Sequence, residues 1–235
     1  MKKSEITLKK SIIINPLIAF YFFVSFIEMI AEYNKDSYFI SYTKPLTIPI
    51  LILIYGFSVK SKNRSYIISL LLVWVASILL VSDKSYLIII GSAFYLLSQL
   101  IIISLVLMRI KNPGISPILI GSLPFVFLYL FIGFYFYEKI ELSLLLLIIQ
   151  GVFMTFFSGL CFTNYLRKVN TTSSYLLVCS ILFTLSQVLI LTNGLGSKNA
   201  KLQVLTTVFF IGGQFIFYLY LISHDKKLKR YKVNN

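Results

Sequence analysis

Eight long apolar runs constrain this chain more than any other feature of its sequence. They lie at residues 12–31, 44–59, 65–82, 86–110, 115–137, 141–165, 172–192 and 201–223. A helix of about 20 apolar residues crosses the roughly 30 Å hydrocarbon core of a bilayer, and it satisfies the hydrogen bonds of its own backbone there. The pattern predicts an all-α, polytopic transmembrane bundle of about eight spanning helices, which forms a single integral membrane domain over residues 1–235.

The basic residues between these runs predict the orientation of the chain. Sixteen of the 22 Lys and Arg residues fall at the two termini and in the even-numbered connections. Short loops rich in Lys and Arg stay on the cytoplasmic side, so both termini are expected to be cytoplasmic, in the cell (inner or plasma) membrane. Attraction to anionic headgroups accounts for the net charge of +14, and we expect no nucleic-acid partner.

Cysteine usage and the N-terminal run set two further limits. Cys161 and Cys179 lie within apolar runs, as buried thiols do, and no cluster of His, Cys and carboxylate side chains predicts a metal or another cofactor. The run at 12–30 follows two lysines, as the apolar part of a signal peptide does, so a cleaved signal peptide is the alternative to a first membrane helix. It is long, carries Glu28 and lacks a small-residue cleavage pattern, which favours a retained first helix.

Polar side chains inside the apolar runs indicate where a functional site lies. Such groups are costly at membrane depth and usually face the interior of a bundle. Alternating helix directions place them from the outer ends of the helices down to a depth of about 20 Å. The sequence therefore predicts a polar pocket that opens towards the outer leaflet. Its candidate residues are Glu28, Lys44, Ser77, Gln99, Gln187 and Gln214, with the floor near Gln99 and Gln214. On the first helix, Tyr21, Ser25, Glu28 and Glu32 recur at helical spacing and form one polar stripe.

Each of these residues also has a purely structural interpretation. Interhelical hydrogen bonds of glutamine hold membrane bundles together, at about 0.6 kcal/mol each. Glu28 lies near an interface, where it reaches water, and Lys44 snorkels there and anchors its helix. Glycine is sparse in the runs, so close packing of helices through small residues is expected to be weak.

Four segments together resemble the lysoplasmalogenase (YhhN-like) family of eight-helix membrane proteins. The likeness covers roughly residues 25–220, in the order and spacing of that family. The segments are Thr43-Lys44-Pro45-Leu46 with Pro49; Ser77 through Gly91-Ser92-Ala93-Phe94 to Ser98-Gln99; Arg167 with Leu182-Phe183 and Ser186-Gln187; and Thr207 through Gly212-Gly213-Gln214.

The resemblance implies a reaction and a substrate. Active members of the family hydrolyse the vinyl ether bond of lysoplasmalogens and release a fatty aldehyde and a glycerophospho-headgroup. This chain departs from the family pattern at three positions: Ser77 and Gln187 stand where the family has aspartates, and Gln99 stands where it has histidine. Serine and glutamine form hydrogen bonds but do not act as general acids near neutral pH. Glu28 is the one carboxyl that we place in the predicted pocket, and it is therefore the candidate catalytic residue.

Two functions from different classes follow. The first is hydrolysis of lysoplasmalogen-type lysolipids, with Glu28 as acid and base and with Gln99 or Gln187 positioning water. The alternative is a catalytically inactive family member that binds or senses lysolipids. Small-solute transport is a third and weaker alternative, since neither gating charge pairs nor broken helices are evident. The expected partner is a membrane lipid or lysolipid, and the sequence does not identify a protein partner.

Overall fold

The computed structural model describes residues 2–59, 61–82, 84–110, 114–135, 142–195 and 199–233, and every element in these ranges is helical. The helices are α1 (Lys2–Tyr33), α2 (Ser37–Ser58), α3 (Arg64–Leu79), α4 (Ser85–Leu107), α5 (Ile115–Tyr135), α6 (Leu142–Arg167), α7 (Thr171–Leu195) and α8 (Ala200–Val233). The prediction of an all-α chain with eight helices is confirmed.

Several helices have the length and composition of membrane spans. Within the described residues these are parts of α1, α2, α4, α7 and α8, namely Ile12–Tyr33, Ser37–Ser58, Ser85–Leu107, Thr171–Asn193 and Ala200–Asp225. Shorter apolar helices lie at Arg64–Leu79 and Ile115–Phe131. The chain is therefore a multi-pass helical membrane protein.

The helices form two compact units, residues 1–98 and 99–235, and the boundary falls inside α4. In the first unit α1 and α2 form a hairpin. Lys35 turns the chain with a positive φ of 55°, and Asp36 caps α2 because its carboxylate accepts from the backbone N–H groups of Tyr38 and Phe39. Because of this cap α2 begins at Ser37, seven residues before the predicted start of the second run.

Hydrogen bonds between neighbouring helices hold the first unit together. The Asn63 backbone N–H donates to the Tyr55 hydroxyl, and the rings of Tyr55 and Tyr66 meet edge to face at 4.8 Å. The Ser98 hydroxyl donates to the Ser69 carbonyl at 2.9 Å, which ties α4 to α3. Side chains from α2 and α3 therefore form one buried core.

In the second unit, α5 to α8 pack in sequence as antiparallel neighbours. The hydroxyls of Thr172 and Ser223 lie 3.0 Å apart at one end of the α7–α8 hairpin, and further along Ser186 donates to the Thr206 carbonyl at 3.2 Å. Between α6 and α7 the hydroxyls of Ser158 and Thr184 lie 2.7 Å apart. These contacts fix the register of the three helices.

Glycine brings α5 and α6 close together, so the prediction of weak small-residue packing is wrong at this crossing. A Cβ added at Gly121 would lie 2.6 Å from the Thr163 Oγ1 atom and 2.9 Å from the Gly159 carbonyl oxygen. A Cβ at Gly159 would lie 2.8 Å from the Ile118 carbonyl oxygen. Two glycines on facing helices suffice for this approach, and a low overall glycine content does not reveal them.

Candidate functional site

The α1–α2 hairpin brings two acidic side chains and one basic side chain together in the first unit. Glu28 and Glu32 are one helical turn apart on α1, and Lys44 lies two turns into α2. Helical side chains tilt towards the N-terminus of their helix, so Lys44 leans back towards the turn, where α1 ends. We call Glu28, Glu32 and Lys44 the hairpin cluster.

An ion pair forms the centre of the hairpin cluster. Lys44 Nζ donates to Glu32 Oε1 at 3.1 Å, and the ammonium also interacts electrostatically with Glu28. Both carboxyls are almost fully buried, at 3% exposure for Glu28 and 2% for Glu32, whereas a quarter of the Lys44 side chain is exposed. Lys44 is thus paired and does not only anchor its helix.

The second acid of the hairpin cluster is incompletely satisfied. Among the described residues, no hydrogen bond reaches Glu28 Oε2. Two carboxyls share one ammonium, so the cluster is electrically neutral when one carboxyl carries a proton. Burial of an uncompensated charge is costly, which makes this neutral form the natural one for a buried site. A buried acid with a proton to give is the requirement for general acid catalysis.

The predicted polar stripe on α1 is confirmed as one buried face. Tyr21, Ser25, Glu28 and Glu32 are all at most 3% exposed, and the Ser25 hydroxyl donates to the Tyr21 carbonyl at 2.7 Å. The sequence pattern placed Glu32 on this stripe but did not single it out as a site residue. Glu32 precedes Lys44 by 12 residues, with a tight turn between them. This spacing is the sequence signal from which the pair could have been found.

A tryptophan on α3 fixes the position of α2 next to Lys44. Pro49 has no N–H, so the carbonyl of Pro45 lacks the hydrogen bond that residue 49 ordinarily provides. Trp74 Nε1 donates to this carbonyl oxygen at 2.8 Å. The indole thus replaces a missing backbone bond and holds the residue that follows Lys44.

The side chain of Ser77 forms its hydrogen bond within its own helix, α3. It is buried, and its hydroxyl donates to the Trp74 carbonyl at 2.7 Å. Within the described part of the chain no hydrogen bond joins Ser77 to the hairpin cluster. The structure therefore brings together Glu28 and Lys44 of the predicted site, and it engages the hydroxyl of Ser77 with the backbone of Trp74.

The three predicted glutamines are buried in the second unit. Gln187 Nε2 donates to Gln150 Oε1 at 3.2 Å. This bond joins α7 to α6, as expected if the glutamine only holds the bundle together. Within the described ranges, neither amide atom of Gln99 has a hydrogen-bond partner, nor has Gln214 Oε1. Whether these residues share a pocket with Glu28 and Lys44 stays a prediction.

Comparison with known proteins gives a family but no individual relative. The model of the YhhN family matches residues 39–221, more than three quarters of the chain, and this family includes lysoplasmalogenases. No curated protein matches. No solved structure matches either. The matched region contains Lys44, Ser77 and the three glutamines, and it begins after α1, which carries the two acids of the hairpin cluster.

Proposed function

The chain belongs to the YhhN family, and from this membership and the buried hairpin cluster we propose that it hydrolyses the vinyl ether bond of lysoplasmalogen-type lysolipids. The products are a fatty aldehyde and a glycerophospho-headgroup. The observation that carries the proposal is the pairing of Glu32 with Lys44 beside Glu28, a buried acid with an oxygen that lacks a hydrogen bond among the described residues.

The reaction needs a proton donor and a water molecule. Transfer of a proton to the β-carbon of the enol ether forms a C–H bond and leaves a cation shared by the α-carbon and the ether oxygen. Water adds to the α-carbon and loses a proton, which gives a hemiacetal. The hemiacetal then collapses: its hydroxyl loses a proton as the C=O bond forms, the bond to the glycerol oxygen breaks, and that oxygen takes up a proton. The aldehyde and the glycerophospho-headgroup leave. Hydrolysis therefore consumes one water and needs no redox partner.

The hairpin cluster offers separate groups for these steps. Glu28 gives the proton to the carbon. Glu32, which is paired with Lys44 at 3.1 Å, faces the positive charge that develops and accepts the proton of the attacking water. In this proposal α1 supplies the acids that Ser77 and Gln187 do not supply from the matched region.

The test is aldehyde release by the purified protein in detergent. Glu28→Gln keeps the size of the side chain and removes its acidity, so the rate is expected to fall by about 100-fold or more. Asp36→Asn is the matched control, because Asn caps a helix as well as Asp does, and this exposed position lies just beyond the hairpin cluster. It should keep the wild-type rate. Equal rates for Glu28→Gln and the wild type would exclude Glu28 as the acid.

Binding of lysolipids without cleavage is the second candidate function. The engagement of Gln187 with Gln150 favours it, because a position where the family has an aspartate carries an interhelical hydrogen bond in this chain. Folded wild-type protein that binds a radiolabelled lysoplasmalogen but releases no aldehyde would support this candidate and contradict hydrolysis.

A further inference from the structure

A charged cluster lies where the apolar part of α8 ends. Its members are Arg109, two residues after α4, and His224 and Asp225 of α8, and we call them the α8-end cluster. Arg109 Nη2 lies 3.5 Å from Asp225 Oδ1, and His224 Nδ1 lies 3.9 Å from the same oxygen. All three residues belong to the second unit, so these contacts form inside one compact body.

The contacts within the α8-end cluster leave two nitrogen atoms without a hydrogen bond. Hydrogen bonds between charged nitrogen and oxygen atoms are about 2.7–2.9 Å long, and both contacts of Asp225 are longer than this. In the described part of the chain, Arg109 Nη1 and His224 Nδ1 are buried and have no hydrogen-bond partner. Buried polar atoms in native proteins nearly always have a partner, so these two nitrogens point to a ligand that accepts hydrogen bonds.

The charge around the α8-end cluster favours an anion as that ligand. From Asp225 to the end of the chain the sequence has one acid and five basic residues, Lys226, Lys227, Lys229, Arg230 and Lys232. α8 continues without a break to Val233, so the basic residues follow the cluster on the same helix. Arg109 adds a further positive charge, and a concentration of positive charge attracts anions.

The position of the α8-end cluster corresponds to the headgroup region of a bilayer. The apolar span of α8 runs from Ala200 to Asp225, and lipid phosphates lie just beyond the hydrocarbon core that such a span crosses. Tyr220, one turn before His224, is 2% exposed, and the centroids of the two rings are 6.1 Å apart. The three side chains of the cluster are 13–28% exposed, so a headgroup at the surface of the unit reaches them.

We propose that the α8-end cluster binds the phosphate group of an anionic two-chain phospholipid in the cytoplasmic leaflet. The planar guanidinium of Arg109 matches two phosphate oxygens at once, and its Nη1 group has hydrogens to donate. His224 supplies a second donor when Nδ1 carries a proton. Asp225 contacts the guanidinium when no lipid is bound, and it competes with the phosphate for that group.

This site is separate from the one proposed for hydrolysis. The basic residues of the sequence predict the end of α8 on the cytoplasmic side and the turn between α1 and α2 on the opposite side. The bound lipid has two chains and is not cleaved, so the inference does not rest on the proposed function. A free phosphate ion offers the same oxygens, but the end of an apolar span favours a lipid, and the experiment distinguishes the two sources.

Native mass spectrometry of the detergent-solubilised protein measures the binding. The probe is dioleoylphosphatidylglycerol, which has a net negative charge. Dioleoylphosphatidylcholine has the same chains and a phosphate whose charge is balanced by choline. We expect the first lipid to bind in a saturable manner and the second to bind about fivefold more weakly, as one charge interaction near a membrane surface predicts.

Two variants with opposite expected effects locate the site. Arg109→Gln removes the guanidinium, so the half-saturating concentration of dioleoylphosphatidylglycerol should rise about tenfold. Asp225→Asn removes the competing carboxylate, so that concentration should fall about fivefold. A gain in affinity does not arise from partial unfolding, so this second variant decides the question even if Arg109→Gln folds poorly.

Each variant has a control that changes the net charge equally at another place. Arg64→Gln removes an exposed arginine at the start of α3, in a connection that the sequence also predicts to be cytoplasmic. Asp36→Asn removes an exposed acid at the turn between α1 and α2. Both controls should bind dioleoylphosphatidylglycerol as the wild type does.

Four results would overturn the proposal. They are equal binding of the two lipids, an unchanged half-saturating concentration in Arg109→Gln, weaker binding in Asp225→Asn, and displacement of the lipid by millimolar inorganic phosphate. The last result would make a soluble phosphate compound the occupant of the α8-end cluster. Aldehyde release does not enter any of these measurements, so a failure of the proposed hydrolysis leaves this test intact.

Discussion

Lys44 balances the charge of two buried carboxyls, so its removal costs more than one hydrogen bond. In Lys44→Met the carboxylate of Glu32 stays buried without its cation. We expect the free energy of unfolding to fall by about 2–3 kcal/mol, at the low end for a buried pair because a quarter of the lysine side chain is exposed. The temperature at which half the protein leaves the monodisperse peak in size-exclusion chromatography measures this loss.

The double variant Lys44→Met/Glu32→Leu is the control for that prediction. It removes both charges and fills the space with apolar atoms, which is often neutral for a buried pair. It should recover most of the stability. If the double variant is less stable than Lys44→Met, the two residues do not form a coupled pair.

Residues of the site were predictable to different degrees. The stripe with Glu28 was predictable from the sequence. The helical spacing of its polar residues can be read directly, and polar residues that are costly to bury in a membrane usually face the interior of a bundle. The contact of Glu32 with Lys44 was not predicted, since it depends on how sharply the chain turns at Lys35. The engagement of Ser77 with its own helix was also hidden, because serine bonds to a backbone carbonyl in any apolar helix.

At the scale of the helix, the Trp74–Pro45 bond predicts a compensating pair of substitutions. Trp74→Phe leaves the Pro45 carbonyl without its donor and should lower the free energy of unfolding by about 1 kcal/mol. Adding Pro49→Ala restores an N–H to position 49, which satisfies the same carbonyl within α2. The thermal midpoint of the double variant should therefore exceed that of Trp74→Phe, and an equal or lower midpoint would contradict this account.

The α5–α6 crossing predicts different outcomes for two glycines. Gly159→Ala places a Cβ within 2.8 Å of backbone atoms of α5, so the helices must separate, at a cost of about 1–3 kcal/mol. Gly212→Ala is the control, because its Cβ would meet Leu182 at an ordinary 3.5 Å. Alanine there should match or exceed wild-type stability, since it favours a helix over glycine. Similar melting temperatures for the two variants would argue against a close crossing.

Helix ends were less predictable than helices. The eight runs gave eight helices because apolar length is a direct requirement of the bilayer. Their ends depend on capping and on polar extensions: Asp36 starts α2 early, and α8 continues to Val233, ten residues past its apolar run. The predicted boundaries at 137 and 141 lie outside the described residues.

For the whole molecule, the distribution of basic residues predicts both termini on the cytoplasmic side. Alkaline phosphatase fused after Asn235 should be inactive, because the enzyme matures only outside the cytoplasm, whereas insertion at Ser197, between α7 and α8, should give an active enzyme. A fluorescent protein at the same two positions should give the opposite pattern. Activity of phosphatase at both positions would contradict the proposed orientation in the cell membrane.

The boundary at residues 98 and 99 was not visible in the sequence. It falls within α4, where the apolar pattern continues without a break from Ser85 to Leu107. Hydropathy reports that a segment is buried in lipid or protein, and it carries no information on which neighbours the helix contacts. The single-domain prediction depends on those contacts, and it stays a prediction.

The chain contains one tryptophan, and it is the residue that donates to the Pro45 carbonyl beside Lys44. Its ultraviolet emission therefore comes from one place in the molecule, with no second indole to average over. A change in the hydrogen bond or polarity at that carbonyl alters the emission wavelength of the unlabelled protein. The molecule thus contains its own optical probe, hydrogen-bonded to the residue that follows Lys44 of the ion pair on which the proposed chemistry depends.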